Sequence, residues 1–240
     1  MPNKKFTLDD GLPVSIYKRR GNRNLRLTVN AEGEVRVSIP AWAPYSAGLD
    51  FARTRRDWIT SQRRPGRLLV DGQPVGKAHH LYFRPKAGAS RPASRVAAGA
   101  VVVSHPPGLD QGDPAVQKAA RAASIRALRA QAEQLLPQRL AALAETHGFS
   151  YSEVSVRQLK SRWGSCDQDG RIALSLFLMQ LPWEYIDYVL LHELVHTRVM
   201  RHGPDFWSAM TRLLPDAKAV RKSLRSYRPA LDSPAASDMA

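Results

Sequence analysis

Three of the seven histidines and one glutamate lie close together in an otherwise apolar stretch, YVLLHELVHTRVMRHGPDFW (residues 188–207). His192 and His196 are four residues apart, so a helix places both rings on the same face, one turn apart. In that arrangement both imidazoles can bind one zinc ion at about 2.0–2.1 Å. Glu193 projects beside them, where a carboxylate can hold and deprotonate a zinc-bound water. This H-E-x-x-H pattern predicts a catalytic zinc site with Glu193 as its acid and base.

The neighbours of these residues argue against the alternative, a polar stripe exposed to solvent. Leucines and valines surround the motif, so its helix is expected to be largely buried. A buried ionisable group needs a partner, because leaving it unpaired costs free energy. A bound metal ion supplies that partner.

A catalytic zinc site has three protein ligands and one open position. No glutamate follows Glu193, and the downstream candidates are four aspartates and one histidine, His202. We predict His202 as the third ligand. The alternative is a surface histidine at the C-terminus of the helix. On an unbroken helix His202 would lie about 15 Å beyond His192, so the helix must end first and the chain must fold back. The spacing H-E-x-x-H-x5-H equals that of metzincins, although Val199 stands where they have a turn glycine.

The segments before the motif predict a small sheet and a helix. Residues 152–159 and 171–179 have the alternation of strands, with a loop or bulged turn between them at 160–170. The second strand is predicted to be an edge with which an extended peptide can pair. Residues 182–200 begin with a proline and predict the helix that carries the motif.

Further helices are predicted on both sides of these elements. Residues 115–148 predict a long helix that Pro137 kinks or divides and Gly148 ends. After the Gly-Pro pair that follows His202, residues 205–214 and 216–227 predict two short helices. Phe206 and Trp207 are expected to pack beneath the third ligand.

The N-terminal part is predicted to be rich in strands. Residues 25–30 and 35–40 alternate around an Ala-Glu-Gly-Glu turn, which predicts a β-hairpin with arginines on one face. Residues 46–64 predict one amphipathic helix, and further strands continue to about residue 106.

Composition limits the class of protein and its surroundings. The 36 Lys and Arg outnumber the 21 Asp and Glu, so the chain carries a net charge of +15 and has a pI near 10.5. Such a charge attracts polyanions such as nucleic acid, or it is simply an arginine-rich solvated surface. A single cysteine, Cys166, excludes an intrachain disulfide. With no signal-like N-terminal run and no apolar run longer than residues 96–103, we expect a cytoplasmic protein without membrane contact.

The order of several motifs resembles the YgjP-like zinc metallopeptidases, which are relatives of the SprT-like and WLM proteases. The chain has KSRWGSC (160–166), then the strand RIALS, then YVLLHELVH on a proline-led helix, then RHGPDFW. The arginine-rich hairpin and the helix ending DWITSQ are also typical of that family. The resemblance covers about residues 14–228 and implies that His192, His196 and His202 are the metal ligands.

The likeness completes the predicted architecture. We expect an α+β fold in which a β-rich N-terminal subdomain (1–110) packs on a helical, zincin-like metal-binding subdomain with a short antiparallel sheet (115–228). Residues 229–240 have the composition of a disordered tail. One zinc ion is expected per chain.

Several other side chains are candidates for the site. The predicted cleft-lining residues are Arg162, Trp163, Ser165 and Tyr188. Trp163 and Gly164 are alternatively structural, locking a turn, and Cys166 is expected to be a small packing residue rather than a fourth ligand. The candidate donors to a transition-state oxyanion are Arg162, Tyr185, Tyr188 and Arg198.

The sequence therefore predicts a zinc-dependent hydrolase, first of all a metallopeptidase that cleaves a protein or peptide substrate. One alternative keeps the metal and changes the bond to a nucleotide phosphoanhydride, as in a pyrophosphatase. Another is a nucleic-acid-associated protease or binding module, supported by the net charge and the basic hairpin.

Overall fold

The computed structural model describes residues 3–29, 35–62, 68–159, 162–227 and 231. Contacts within the chain divide it into two compact units, Met1–Leu68 and Leu69–Ala240. The boundary predicted near residue 110 is at a different place, because strands before that residue pack against the long helix after it. The predicted hairpin turn at 31–34 and, apart from Leu231, the predicted tail at 229–240 lie outside the described residues.

The first unit is a small sheet with two helices. Its elements are β1 (Asn3–Thr7), β2 (Pro13–Arg19), β3 (Arg26–Val29), β4 (Val35–Pro40), α1 (Tyr45–Thr54) and α2 (Arg56–Gln62). The strand order is β1-β2-β4-β3, and the antiparallel pairing of β3 with β4 confirms the predicted hairpin. Val35, Val37 and Ile39 point into the core while Arg36 is exposed, as the alternation of a half-buried strand requires. The one helix predicted here is interrupted at Arg55.

The described residues of the second unit form two sheets and four α-helices. Its strands are β5 (Pro74–Val75), β6 (His79–Pro85), β7 (Ala93–Ala97), β8 (Ala100–His105), β9 (Glu153–Arg157), β10 (Gly164–Cys166) and β11 (Arg171–Ser175). Its helices are α3 (Pro114–His147), α4 (Trp183–His196), α5 (Pro204–Leu213) and α6 (Ala217–Ser226), with a 3-10 helix at Leu176–Gln180. The strand orders are β5-β6-β8-β7 and β10-β11-β9.

Helix α3 is the element on which the second unit is assembled. Asp113 caps its first turn by accepting a hydrogen bond from the Ala115 amide at 2.8 Å, and Gly148 ends it with a left-handed φ of 67°. Pro137 lies inside this 34-residue helix and does not divide it. Buried alanines let both sheets and α4 approach closely.

Helix α4 carries the H-E-x-x-H motif and is buried as predicted, with ten of its 14 residues buried. Arg139 on α3 fixes it through a two-pronged ion pair with Asp187, at 2.8 and 2.6 Å. Helix α4 also packs against β10. Within the described ranges, no helix is both long and apolar enough to cross a membrane.

The small sheet differs from its prediction in three ways. It is mixed rather than antiparallel, because β11 pairs with β10 antiparallel and with β9 in parallel. Strand β11 stops at Ser175 and lies between β10 and β9, so it is the central strand and not the predicted edge. The edge beside α4 is β10, which falls in the segment predicted as a loop. A three-residue strand of Gly, Ser and Cys has no alternation to reveal it.

Candidate metal centre

Three histidine side chains converge on one point at the end of α4. The Nε2 atoms of His192 and His196 are 3.1 Å apart, those of His196 and His202 are also 3.1 Å apart, and those of His202 and His192 are 3.0 Å apart. His192 and His196 are buried and His202 is half-buried. Among the described residues, this is the group of three or more potential ligands close enough to share one metal ion.

The chain turns sharply between the second and third histidines. Helix α4 ends at His196, and α5 begins at Pro204, so His202 returns to the helix instead of continuing along it. Val199 makes this turn without a positive φ, which explains why no glycine is needed there. The Val199 carbonyl oxygen lies 3.0 Å from His196 Nδ1, so this nitrogen is the donor and Nε2 carries the free lone pair.

The three side chains fit a zinc ion. Burial lowers the pKa of all three imidazoles, and that of His192 falls to about 2, so all three are neutral at pH 7. Neutral nitrogens that face one another expose lone pairs, which a cation can share. Tetrahedral bonds of about 2.0–2.1 Å set ligand atoms roughly 3.3 Å apart, close to the separations observed.

The carboxylate of Glu193 lies beside this cluster and is itself buried, with 2% of the residue exposed. Its Oε2 atom has no hydrogen-bond partner among the described residues. Burial raises the pKa of Glu193 to about 8, against a smaller opposing effect of the Arg162 charge. A carboxyl with such a pKa can both accept and return a proton near neutral pH.

Phe206 and Trp207 follow the third histidine and have different surroundings. The Phe206 ring is fully buried, and its centroid lies 4.7–4.8 Å from the centroids of all three histidine rings. It therefore packs under all three rings rather than under His202 alone. Trp207 is half-buried and lines an open groove that begins at His202.

The four residues predicted to line a cleft are in different environments. Trp163 and Tyr188 are buried, with 2% and 0% exposed, so they are part of the core around the site rather than of an open surface. The Tyr188 ring centroid lies 5.9 Å from that of His192. Arg162 is exposed and Ser165 is half-buried.

Cys166 is not among the converging ligands. It is half-buried on β10, and its thiol is 3.4 Å from the Asp167 carbonyl oxygen. Two effects raise the pKa of this thiol to about 11: first its burial, and second the nearby Glu193 charge. It stays protonated at neutral pH, which suits a small packing residue.

One of the four predicted oxyanion donors is engaged elsewhere. The Arg198 guanidinium stacks 4.3 Å from the Phe149 ring centroid and donates to the Gly148 carbonyl. The Tyr185 ring packs edge-on against Tyr227. Sequence reasoning named two cations for the site, Arg162 and Arg198, and missed Arg221 on α6. The charge of Arg221 contributes to the low pKa of His192 and of His202. The spacing along the chain gives no signal that α6 returns to the site.

Sequence reasoning also missed the role of Gly164. Its Cα lies against Glu193, and a β-carbon there would be 2.5 Å from the carboxylate oxygen Oε1. A glycine inside a strand often indicates that another group approaches closely. This was the available signal, but it requires knowing that Gly164 is in a strand.

A buried three-histidine cluster with an adjacent carboxylate on an α+β fold is the arrangement of a metal-dependent hydrolase. The YgjP-like metallopeptidase domain matches residues 23–227, and the chain belongs to this family. The family match supports a peptidase and does not favour the phosphoanhydride or nucleic-acid alternatives.

Two solved structures resemble part of the chain. The zymogen of Pyrococcus abyssi abylysin, a metallopeptidase, is 23% identical with a TM-score of 0.36, over 38% of this chain and 93% of that one. The zymogen of Methanocaldococcus jannaschii jannalysin, also a metallopeptidase, is 14% identical with a TM-score of 0.34, over 37% of this chain and 92% of that one. No curated protein gives a significant sequence match.

Proposed function

We propose that this protein is a zinc-dependent peptidase in which His192, His196 and His202 hold one zinc ion. The observation that carries the proposal is the convergence of three neutral imidazole nitrogens within 3.0–3.1 Å of one another. When bound, zinc supplies a Lewis acid that polarises the scissile carbonyl and lowers the pKa of a water molecule toward about 7.

Glu193 is the proposed general base and general acid. It takes a proton from the attacking water and later returns that proton to the leaving amine. Its raised pKa, about 8, favours the return step, and its buried position excludes bulk water from the transfer. The contact between His196 Nδ1 and the Val199 carbonyl fixes the tautomer and the orientation of that ring.

Strand β10 is the proposed docking edge for an extended peptide. It is the outer strand of its sheet and packs against α4, and its Gly164 contacts Glu193. Pairing with β10 would therefore bring a peptide backbone to the carboxylate that serves as base. The substrate class we propose is an unstructured protein or peptide.

We also propose a cytoplasmic location, because the single cysteine gives no sign of disulfide chemistry. The basic hairpin, with Arg26 and Arg36 exposed on one face of the first unit, is compatible with an accessory contact to nucleic acid. The family match provides no support for that contact.

Metal content and proteolysis, measured for the wild type and Glu193→Gln, test the proposal. We expect about one zinc per chain in both proteins and cleavage of an unstructured protein by the wild type only, since Gln cannot accept the proton. Zinc in both without proteolysis by either would overturn the peptidase and point to nucleotide substrates. A protein that takes up no zinc at neutral pH would overturn the metal site.

A further inference from the structure

An open groove leads away from the metal centre along α5. It begins at His202, and Trp207, Ser208 and Thr211 line it from α5, while Lys218 lines it from α6. Because His202 is a proposed metal ligand, whatever lies in this groove is next to the scissile bond.

Lys218, which lines the groove from α6, is the first of a row of cations on that helix. Lys218, Arg221, Lys222 and Arg225 follow one another at helical spacings of three, one and three residues, so they form one stripe along the helix. Ala217 and Leu224, from the same helix, are buried in the core and fix which side of α6 faces outward. The described residues that line the groove include Lys218 and no acidic side chain.

Arg221, the second cation of this stripe, is held in place by a neighbouring aromatic ring. Its guanidinium carbon lies 4.9 Å from the centroid of the Trp207 ring, which is the geometry of a cation stacked on an aromatic surface. Trp207 itself lines the groove that begins at His202, so the stacked guanidinium lies at the wall of this groove. A stacked guanidinium loses less conformational freedom when it binds a carboxylate than a mobile one does.

We propose that this groove binds an acidic side chain of the peptide substrate, with Lys218 and Arg221 as the recognising cations beside the scissile bond. The hydroxyl group of Ser208 adds a hydrogen-bond donor for a carboxylate, whereas the hydroxyl of Thr211 donates to the Trp207 carbonyl oxygen at 2.8 Å. The positive net charge of the chain attracts acidic peptides over a longer range. The inference rests on the proposed peptidase function and adds the substrate class to it.

Three otherwise identical unstructured peptides, with Glu, Gln or Lys at the positions flanking the cleaved bond, test this inference. With the zinc-loaded full chain, we expect kcat/KM to be about five- to tenfold higher for the Glu peptide than for the Gln peptide, and lower again for the Lys peptide. Lys218→Glu should reverse the order of the Glu and Lys peptides. Lys118→Glu makes the same change of charge on an exposed position of α3 that does not line the groove, and should keep the wild-type order.

Binding of the same peptides to zinc-loaded Glu193→Gln separates this inference from the proposed function. Cleavage that is equal for all three peptides and unchanged in Lys218→Glu overturns the inference and leaves the peptidase intact. If no peptide is cleaved, the peptidase proposal fails. The binding measurements by themselves then test whether the groove prefers an acidic side chain. Tighter binding of the Glu peptide that Lys218→Glu reverses supports the acidic site, and equal binding of all three overturns it.

Discussion

Gly164 and Glu193 are in such close contact that only a glycine fits at position 164. A β-carbon there would lie 2.5 Å from Glu193 Oε1 and 2.9 Å from both Cδ and Cγ. Gly164 is not among the glycines with a positive φ, so backbone freedom is not the reason for it. The missing side chain leaves the space that the buried carboxylate occupies, and the Trp-Gly-Ser-Cys segment thereby positions the proposed base.

Gly164→Ala should therefore impair catalysis more than metal binding. The added methyl group forces the carboxylate to move, and a displacement of about 1 Å at a catalytic group can lower a rate by roughly a hundredfold. We expect kcat to fall by one to two orders of magnitude while zinc content stays at about one per chain. Steady-state kinetics and metal analysis of the purified variant measure the two effects.

Gly108→Ala is the matched control, because a β-carbon at Gly108 would meet nothing within 4 Å. It should leave kcat unchanged. In a Glu193→Asp background the side chain at position 193 is shorter. There Gly164→Ala should lower the free energy of unfolding much less than it does in the wild type. A Gly164→Ala variant that keeps the full wild-type kcat would show that the contact does not position the base.

The helix of the metal site could be predicted from the sequence, but most of the groups around it could not. The helix was predictable because its periodicity, its proline start and the spacing of His192 and His196 are all features of one short segment. The turn that brings back His202 was inferred from length alone, since ten helical residues span too far to share one ion. The structure then shows that the turn needs no glycine at Val199.

What sequence reasoning missed depends on contacts between distant segments. Strand β10 is three residues long and has no pattern of its own, because its pairing with β11 decides its state. Gly164 and Arg221 reach the site through packing of β10 and α6 on α4, which no spacing along the chain encodes. The division of the chain at Leu68 was also hidden, since strands occur on both sides of it.

The contribution of Glu193 to the stability of the metal-free protein should decrease as the pH rises from 6.5 to 8. Burial raises the pKa of Glu193 from 4.5 to about 8, so the folded chain keeps a proton that the unfolded chain has released. This contribution is fully present below pH 4.5 and is lost as the pH rises through 8. The three histidines act in the opposite sense, because their folded pKa is lowered. Their contribution to stability is complete only well above the unfolded pKa of 6.5 and is lost as the pH falls through that value.

Urea unfolding of the chelator-treated protein measures this effect. Between pH 6.5 and 8 we expect the free energy of unfolding of the wild type to fall by about 2 kcal/mol relative to that of Glu193→Gln, because the histidines titrate equally in both proteins. Glu193→Gln lacks this contribution, since Gln does not titrate, and Glu145→Gln, at an exposed position on α3, should follow the wild type. An equal decrease in wild type and Glu193→Gln would assign the pH dependence to another group.

Replacement of any one of the three histidines by Ala should remove most of the zinc. Two remaining imidazoles leave the ion with too few protein ligands. Loss of an outer-shell partner lowers metal affinity roughly 10–100-fold. We therefore expect loss of a direct ligand to lower the zinc affinity more than about a hundredfold. His80→Ala is the control, because His80 is exposed on β6 and outside the cluster. Competition with a chelator measures each affinity. Retention of wild-type affinity by His202→Ala would exclude His202 as the third ligand.

Phe206 should matter for zinc affinity even though it offers no ligand atom. Its ring is fully buried, with its centroid 4.7–4.8 Å from those of all three histidine rings, so it limits how far each imidazole can rotate. Phe206→Leu leaves a gap on that side of the rings, and we expect about 1–2 kcal/mol of lost stability together with a roughly tenfold weaker zinc affinity. Phe83→Leu makes the same change at a buried position on β6 and should lower stability without lowering zinc affinity. Because the two variants lose similar core volume, an equal drop in zinc affinity for both would mean that general destabilisation, not the packing of Phe206 on the ligands, weakens the site.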